Sequence, residues 1–373
     1  MAQTPNLDRL AVDGTRFTSA YTNCPICVPA RASLATGRYV HQLGNWDNAF
    51  PYHGEMPSWG HRLKAAGHQV DSIGKLHFRS AGDDNGFCRE IDPLHVVDGE
   101  GDVLSCLREE APVQDKRAGI ENAGPGDSTY LSYDASNADR ACQWIAEHKD
   151  DAQPWMLFLS FVCPHPPYIS PSELFEKYPR DEVTLPAQWR QEDWPRHAAV
   201  EEFRRSLNHQ EPFEESIIRN MIAAYWGACS FMDRQIGRVL DALELARVND
   251  TTRVIYTSDH GESAGARGLF GKHTMYDESA AVPMLIAGPD VPRDRIVATP
   301  VSLVDCFPTV LQGLGVEPDA TDGELPGRSL WEIASAKDAE RTVFSEYHAV
   351  GSRRAAYMLR DGRYKFVFHV GAP

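Results

Sequence analysis

The chain has 373 residues, 42% of them hydrophobic and 24% charged, and a formal net charge of −16. These proportions suit one large α/β domain, with or without a small appendage, and exclude wholesale disorder. The acidic balance argues against a nucleic-acid partner, which needs an excess of Lys and Arg, so positive charge for any anionic substrate must be gathered locally.

In chain order, the first distinctive segment is Cys27-Val28-Pro29-Ala30-Arg31-Ala32-Ser33-Leu34-Ala35-Thr36-Gly37-Arg38. Pro29 suits the first turn of a helix and Gly37 is placed to end it. Cys27 then sits at the positive end of a short helix with Arg31 one turn inward, an arrangement that favours an anion. Residues 69–73 are apolar, read as a strand, and run into Gly74-Lys75-Leu76-His77. Residues 79–130 carry charges, Gly and Pro with little periodicity and are expected to be a surface excursion, as are residues 176–215. Residues 133–148 form a helical pattern, and residues 155–162 a strand running into Pro164-His165-Pro166-Pro167. In the helical pattern 216–246, Ile217, Ile218, Met221, Ile222 and Tyr225 recur at helical spacing.

Residues 253–257 form a further apolar run leading into Ser258-Asp259-His260-Gly261-Glu262, followed by a strand at 283–287 and a helix at 302–314. Residues 357–359 and 363–370 read as a hairpin joined at Asp361-Gly362. Strands alternating with helices predict a mostly parallel sheet sandwiched by helices. Ligands in such sheets bind beyond the carboxyl ends of the strands, so the three polar loops should converge there. Two domains are expected: a catalytic unit over 1–335 and, over 336–373, the beginning of a small antiparallel α+β subdomain.

The eight cysteines are dispersed, unlike the dense framework of a small secreted domain. Neither a charged start followed by an apolar run nor a membrane-length apolar stretch is present, so a cytoplasmic, membrane-free protein is expected. Cys24-Pro25-Ile26-Cys27 is open to a competing reading as a redox pair or half of a zinc site. No second close cysteine pair exists to complete a four-thiolate zinc site. Asp259 and His260, a carboxylate and an imidazole at the end of a buried strand, read as ligands for a divalent cation.

The Cys-x-Pro-x-Arg core formed by Cys27, Pro29 and Arg31 resembles the signature of the sulfatase family, within the alkaline phosphatase superfamily. Further matches follow in family order: Thr4-Pro5-Asn6-Leu7-Asp8-Arg9-Leu10, Gly74-Lys75-Leu76-His77, Pro164-His165-Pro166, Ser258-Asp259-His260-Gly261 and Gly271-Lys272. The resemblance implies hydrolysis of sulfate monoesters and oxidation of Cys27 to formylglycine by a maturation enzyme. The hydrated aldehyde would attack sulfur. His77 would contact the hydrate, His165 would act as general acid on the leaving oxygen, and Arg31, Lys75 and Lys272 would hold the sulfate oxygens. Asp259, His260 and oxidised Cys27 would bind the metal, usually calcium in the family. His260 resembles the branch of choline sulfatases and phosphonate monoester hydrolases, where manganese or zinc is also compatible with imidazole.

Asn48, in a stretch resembling choline sulfatases, is a candidate for the substrate pocket, with an ordinary turn as the alternative. His348 is open to the same two readings. The expected partners are a small sulfate ester and the maturation enzyme, and a homo-oligomer is compatible with substrate residues supplied by a neighbouring subunit.

The signature departs from the family at Val28 and Ala35. The family also carries, just ahead of the Thr-Pro-Asn-Leu-Asp segment, a strand ending in two metal-binding aspartates, and none precedes Thr4 here. The expectation is a fragment incomplete at both ends, with lowered stability. Two alternatives follow: a phosphonate or phosphate ester hydrolase with the same nucleophile, and a metal-deficient, non-catalytic homologue.

Overall fold

The computed structural model describes residues 1–109 and 112–371. Its centre contains two sheets. In one, Gln69–Lys75 lies between Arg89–Leu94 and Trp155–Ser160, all parallel. Val70 and Ile73 lie three residues apart, so they face opposite sides of this sheet. Val70 packs with Trp59, Leu63, Phe307 and Leu311, and Ile73 packs with Ala141, Trp144, Ile145 and Leu243. These partners come from the helices Trp59–Ala65 and Cys306–Gly313 on one side and Thr129–His148 and Glu215–Leu245 on the other. Burial on both faces is why the strand shows no alternation, and its buried Asp71 is satisfied by Arg89 and Trp144, each at 2.8 Å.

The second sheet has the order Arg295–Val297, Gly14–Phe17, Met284–Ala287, Val254–Thr257. Its first pair is parallel and the other two are antiparallel. The centre is therefore mixed, with Met284–Ala287 running against both neighbours, a direction that an apolar run does not encode. Among the described residues no ladder joins Trp155–Ser160 to Val254–Thr257, each of which is an edge strand. The two strands nonetheless share packing: Leu157, Leu159 and Val254 belong to one cluster, and Met156, Phe158 and Ile255 to another.

The two segments expected to be surface excursions contain regular structure. Arg89–Leu94 is a strand within the first, and Ala198–Ser206 a helix within the second. Charged residues and Pro93 hide the strand from periodicity, and both are tolerated because it lies at a sheet edge.

The hairpin strands are Ala356–Asp361 and Tyr364–His369, with Gly362 in the turn at φ 48°. A third strand, Thr342–Tyr347, pairs antiparallel with the first of these. It was hidden because Ser345, Glu346 and Tyr347 are consecutive buried residues of mixed polarity. Val343, Tyr347, Ala356 and Met358 of this small sheet pack with Tyr21, Cys24, Ile26 and Val40, seating it against the segment that leads into Cys27. The Arg341 guanidinium donates to both oxygens of buried Asp305, at 2.7 and 2.6 Å. Asp305 also accepts from the amides of Ser302 and Arg328, tying the small sheet to the larger layer.

Candidate active site

The helix Cys27–Thr36 is almost wholly buried, with small residues Ala30, Ala32, Ser33 and Ala35 allowing close approach of its neighbours. Its C-terminus closes on Gly37 in the left-handed conformation, φ 69°, with the Gly37 amide donating to Ser33 O at 2.8 Å. At its start, extended Ile26 turns the chain so that Cys27 occupies the first turn, and the Val28 amide donates to Asn48 Oδ1 at 3.1 Å. Asn48 therefore satisfies one of the free amides of the helix end beside Cys27.

Arg31 brings the two central sheets together. Its Nε donates to Asp259 Oδ2 at 2.8 Å, and its Nη1 to Lys75 O at 2.7 Å and Ser160 Oγ at 3.1 Å. The ends of strands Gln69–Lys75, Trp155–Ser160 and Val254–Thr257 thus meet around one guanidinium. Gly74, at φ 92°, must be glycine there, because a Cβ would lie 2.2 Å from Ser160 O. Two of the guanidinium nitrogens are engaged within the protein, so Arg31 organises the site, and Nη2 has no hydrogen bond among the described residues.

Two of these loops and the first helix are each held by a carboxylate, buried in Asp134 and Asp233 and half-buried in Glu262. Asp134 accepts from the amides of Val162 and Cys163, at 2.8 and 2.7 Å, and so fixes the segment carrying His165. Glu262 accepts from the amides of Ala264 and Gly271, at 2.9 and 2.6 Å, joining the Asp259 loop to the Lys272 loop. Asp233 on the long helix accepts from the amides of Asn6 and Leu7, at 3.1 and 2.8 Å, which caps the helix Pro5–Val12. None of the three was singled out from sequence, because a supporting carboxylate has no pattern of its own. Glu262 alone sat inside a quoted motif.

The remaining site residues converge on Cys27. Its Sγ lies 3.1 Å from His260 Nε2, and the ligand atoms of Cys27, Asp259 and His260 all lie within 4.8 Å of one another. His77 and His165 both interact electrostatically with the same sulfur, and Lys272 Nζ is 3.4 Å from His165 Nε2. Lys75 Nζ makes no hydrogen bond among the described residues. His77 sits at φ 58° with its buried Nδ1 unpartnered. His348 is turned to a different task, bonding Glu346 Oε2 at 2.9 Å and packing edge-on against Trp46. Cys24 and Cys27 are both free thiols.

This gathering of cations sets the electrostatics. Burial alone would raise the Cys27 thiol, but Lys272, Lys75 and His260 outweigh it and hold the thiol well below its ordinary range. Burial likewise opposes ionisation of Asp259, yet His260 and Arg31 keep its carboxyl well below the usual carboxylate value. Burial lowers Lys75, and burial with Lys272 lowers His165. The place occupied by the Cys27 sulfur is therefore built to stabilise negative charge in an environment poor in water.

The same residues fit a divalent cation. His260 Nδ1 bonds Gly261 O at 2.9 Å, so with a cation in place Nε2, 3.1 Å from the Cys27 sulfur, would be the nitrogen free to ligate it, beside the ionised Asp259. A carboxylate, an imidazole and the atom carried by residue 27 are a donor set that such an ion accepts.

Fold and site together define an ester hydrolase built on an α/β layer, with Cys27 in the first turn of a buried helix. The chain belongs to the sulfatase family, whose family model matches residues 1–316. It is 28% identical to a choline-sulfatase of Rhizobium meliloti (strain 1021), an alignment covering 98% of this chain and 73% of that protein. It is 32% identical to arylsulfatase K of Danio rerio, covering 98% and 71% respectively. A phosphonate monoester hydrolase from Silicibacter pomeroyi shares the fold, with a TM-score of 0.79 at 24% identity, covering 100% of this chain and 83% of that one. Sulfatases of this family are metal-dependent formylglycine enzymes. No helix among the described residues is long and apolar enough to cross a membrane.

Proposed function

We propose that this chain hydrolyses small sulfate monoesters to sulfate and an alcohol, with Cys27 as the precursor of a formylglycine nucleophile. The observation that carries the reading is the placing of Cys27 Sγ at 3.1 Å from His260 Nε2, inside a ring made by Lys75, His77, His165 and Lys272. Cys27 is 1% exposed, so the maturation enzyme must reach it before the chain closes around it.

Formylglycine supplies, as its hydrate, an attacking oxygen and a second hydroxyl whose deprotonation later expels sulfate. Asp259, His260 and residue 27 would hold the divalent cation, which would supply Lewis-acid polarisation of the bound oxygens. Calcium is the family's usual ion, and His260 also suits manganese or zinc. Lys75, Lys272 and Nη2 of Arg31 bind the sulfate oxygens through fixed charge that needs no reorganisation during the reaction. His165 donates Nδ1–H to Pro166 O at 2.7 Å, which directs Nε2 toward the reacting centre. From there His165 passes its Nε2 proton to the departing alcohol oxygen from the imidazolium form, which the Lys272 charge beside it makes a stronger acid, and is left as neutral imidazole. His77 contacts the nucleophile and governs its proton.

A second reading, hydrolysis of phosphonate monoesters, is favoured by the imidazole of His260 as a ligand. The test takes protein coexpressed with a maturation enzyme and supplied in turn with calcium, manganese and zinc. Mass spectrometry of the Cys27 peptide reports the aldehyde, and rates are measured on 4-nitrophenyl sulfate and an aryl phosphonate ester. The expected result is faster sulfate release, while faster phosphonate cleavage would transfer the assignment to the second reading. Full conversion to aldehyde with no turnover of either ester would overturn both.

A further inference from the structure

We propose that His273 is a specificity-determining residue that reads a hydrogen-bond donor, a hydroxyl or N–H, on the alcohol part of the substrate. The inference rests on the ester-hydrolysis reading above. His273 follows Lys272, whose Nζ stands 3.4 Å from His165 Nε2, so it lies beside the same group of side chains. Its backbone is at φ 91°, a conformation that side chains other than glycine rarely adopt. Two contacts hold it there: its amide donates to Pro25 O at 3.0 Å, two residues before Cys27, and its ring stacks on Phe203 with centroids 6.2 Å apart.

The ring's protons are assigned by its partners. Tyr347, fully buried, donates its hydroxyl proton to Val350 O at 2.6 Å, so its oxygen can only accept from His273 Nδ1, 2.9 Å away. Nδ1 therefore carries the proton and Nε2 presents a lone pair. That nitrogen has no protein partner among the described residues and is not sealed from solvent. Gly271 leaves space beside it, since a Cβ there would lie 3.8 Å from Nε2. Burial, reinforced by Lys272 and His260, holds the imidazole well below its ordinary pKa, so the lone pair persists at neutral pH.

A sulfate monoester offers no hydrogen-bond donor on its anionic end, and its oxygens would repel this lone pair. The acceptor must therefore serve the other half of the ester. A site built around an unfilled acceptor rejects analogues that lack the matching donor. The geometry favours hydroxylated or N–H-bearing alcohols over plain aryl or fully alkylated ammonium alcohols.

The experiment compares kcat/KM for 2-hydroxy-4-nitrophenyl sulfate and 4-nitrophenyl sulfate, which differ by one hydroxyl next to the ester, in matured, metal-supplied protein. Wild type is expected to favour the hydroxylated ester by about tenfold. In His273→Phe that ratio should fall to about one. In Tyr347→Phe, which keeps the packing but frees the tautomer, it should fall part of the way. A ratio unchanged in both variants, or equal losses on both esters, would overturn the role of His273. Wild-type turnover of neither ester would instead remove the hydrolytic reading beneath it.

Discussion

Cys27 stands apart from the other thiols in its electrostatics. Most thiols whose environment is resolved here, Cys24, Cys142, Cys163, Cys229 and Cys306, are pushed up by burial. Cys27 alone goes the other way, because Lys272, Lys75 and His260 outweigh its burial. In unmatured, metal-free protein a thiolate absorbance near the far ultraviolet edge should therefore persist at neutral pH. It should fade as pH drops through the depressed folded value, and with it a contribution to stability, since the unfolded thiol titrates at about 8.5. Lys272→Met should move the fade to higher pH, and Cys27→Ser should abolish the signal; a pH titration by absorbance checks both. Cys27, Arg31, Lys75, His77, His165, Asp259, His260 and Lys272 were all readable in the sequence, because each stands in a motif or directly after an apolar run. Asp134, Glu262 and Tyr347 were not, since they act through partners far away in the chain.

At the level of the element, the helix Cys27–Thr36 depends on how it ends. Gly37 is left-handed at φ 69°, and a Cβ there would approach Phe307 Cβ to 2.7 Å. Gly37→Ala combines backbone strain with overpacking and should cost about 1–3 kcal/mol, measured by urea denaturation. The cost should also appear as weakened turnover, since the same helix carries the proposed nucleophile. The sequence signalled this helix through Pro29 and Gly37. It did not signal Gly14–Phe17 or Arg295–Val297, because strands of four and three residues are too short for any period to emerge. The antiparallel run of Met284–Ala287 was equally hidden, being a property of connection and not of composition.

At the level of the molecule, the small C-terminal sheet is joined to the main layer through the Arg341–Asp305 pair, whose carboxylate is fully buried. Asp305→Ala strands a buried guanidinium and two amides and should cost about 3–5 kcal/mol. Limited proteolysis should then cut first near residues 336–341, and protection equal to wild type would count against this view of the joint. The two central sheets present a subtler arrangement. Trp155–Ser160 and Val254–Thr257 share their cores but no ladder, so side-chain packing and the bonds of Arg31 bridge them where the loops meet. Lys75, His77 and His165 belong to one half, and Asp259, His260 and Lys272 to the other. Warming that merely slackened this fault line would part acid from ligand while every helix stayed wound, so the enzyme would fall silent before it melted.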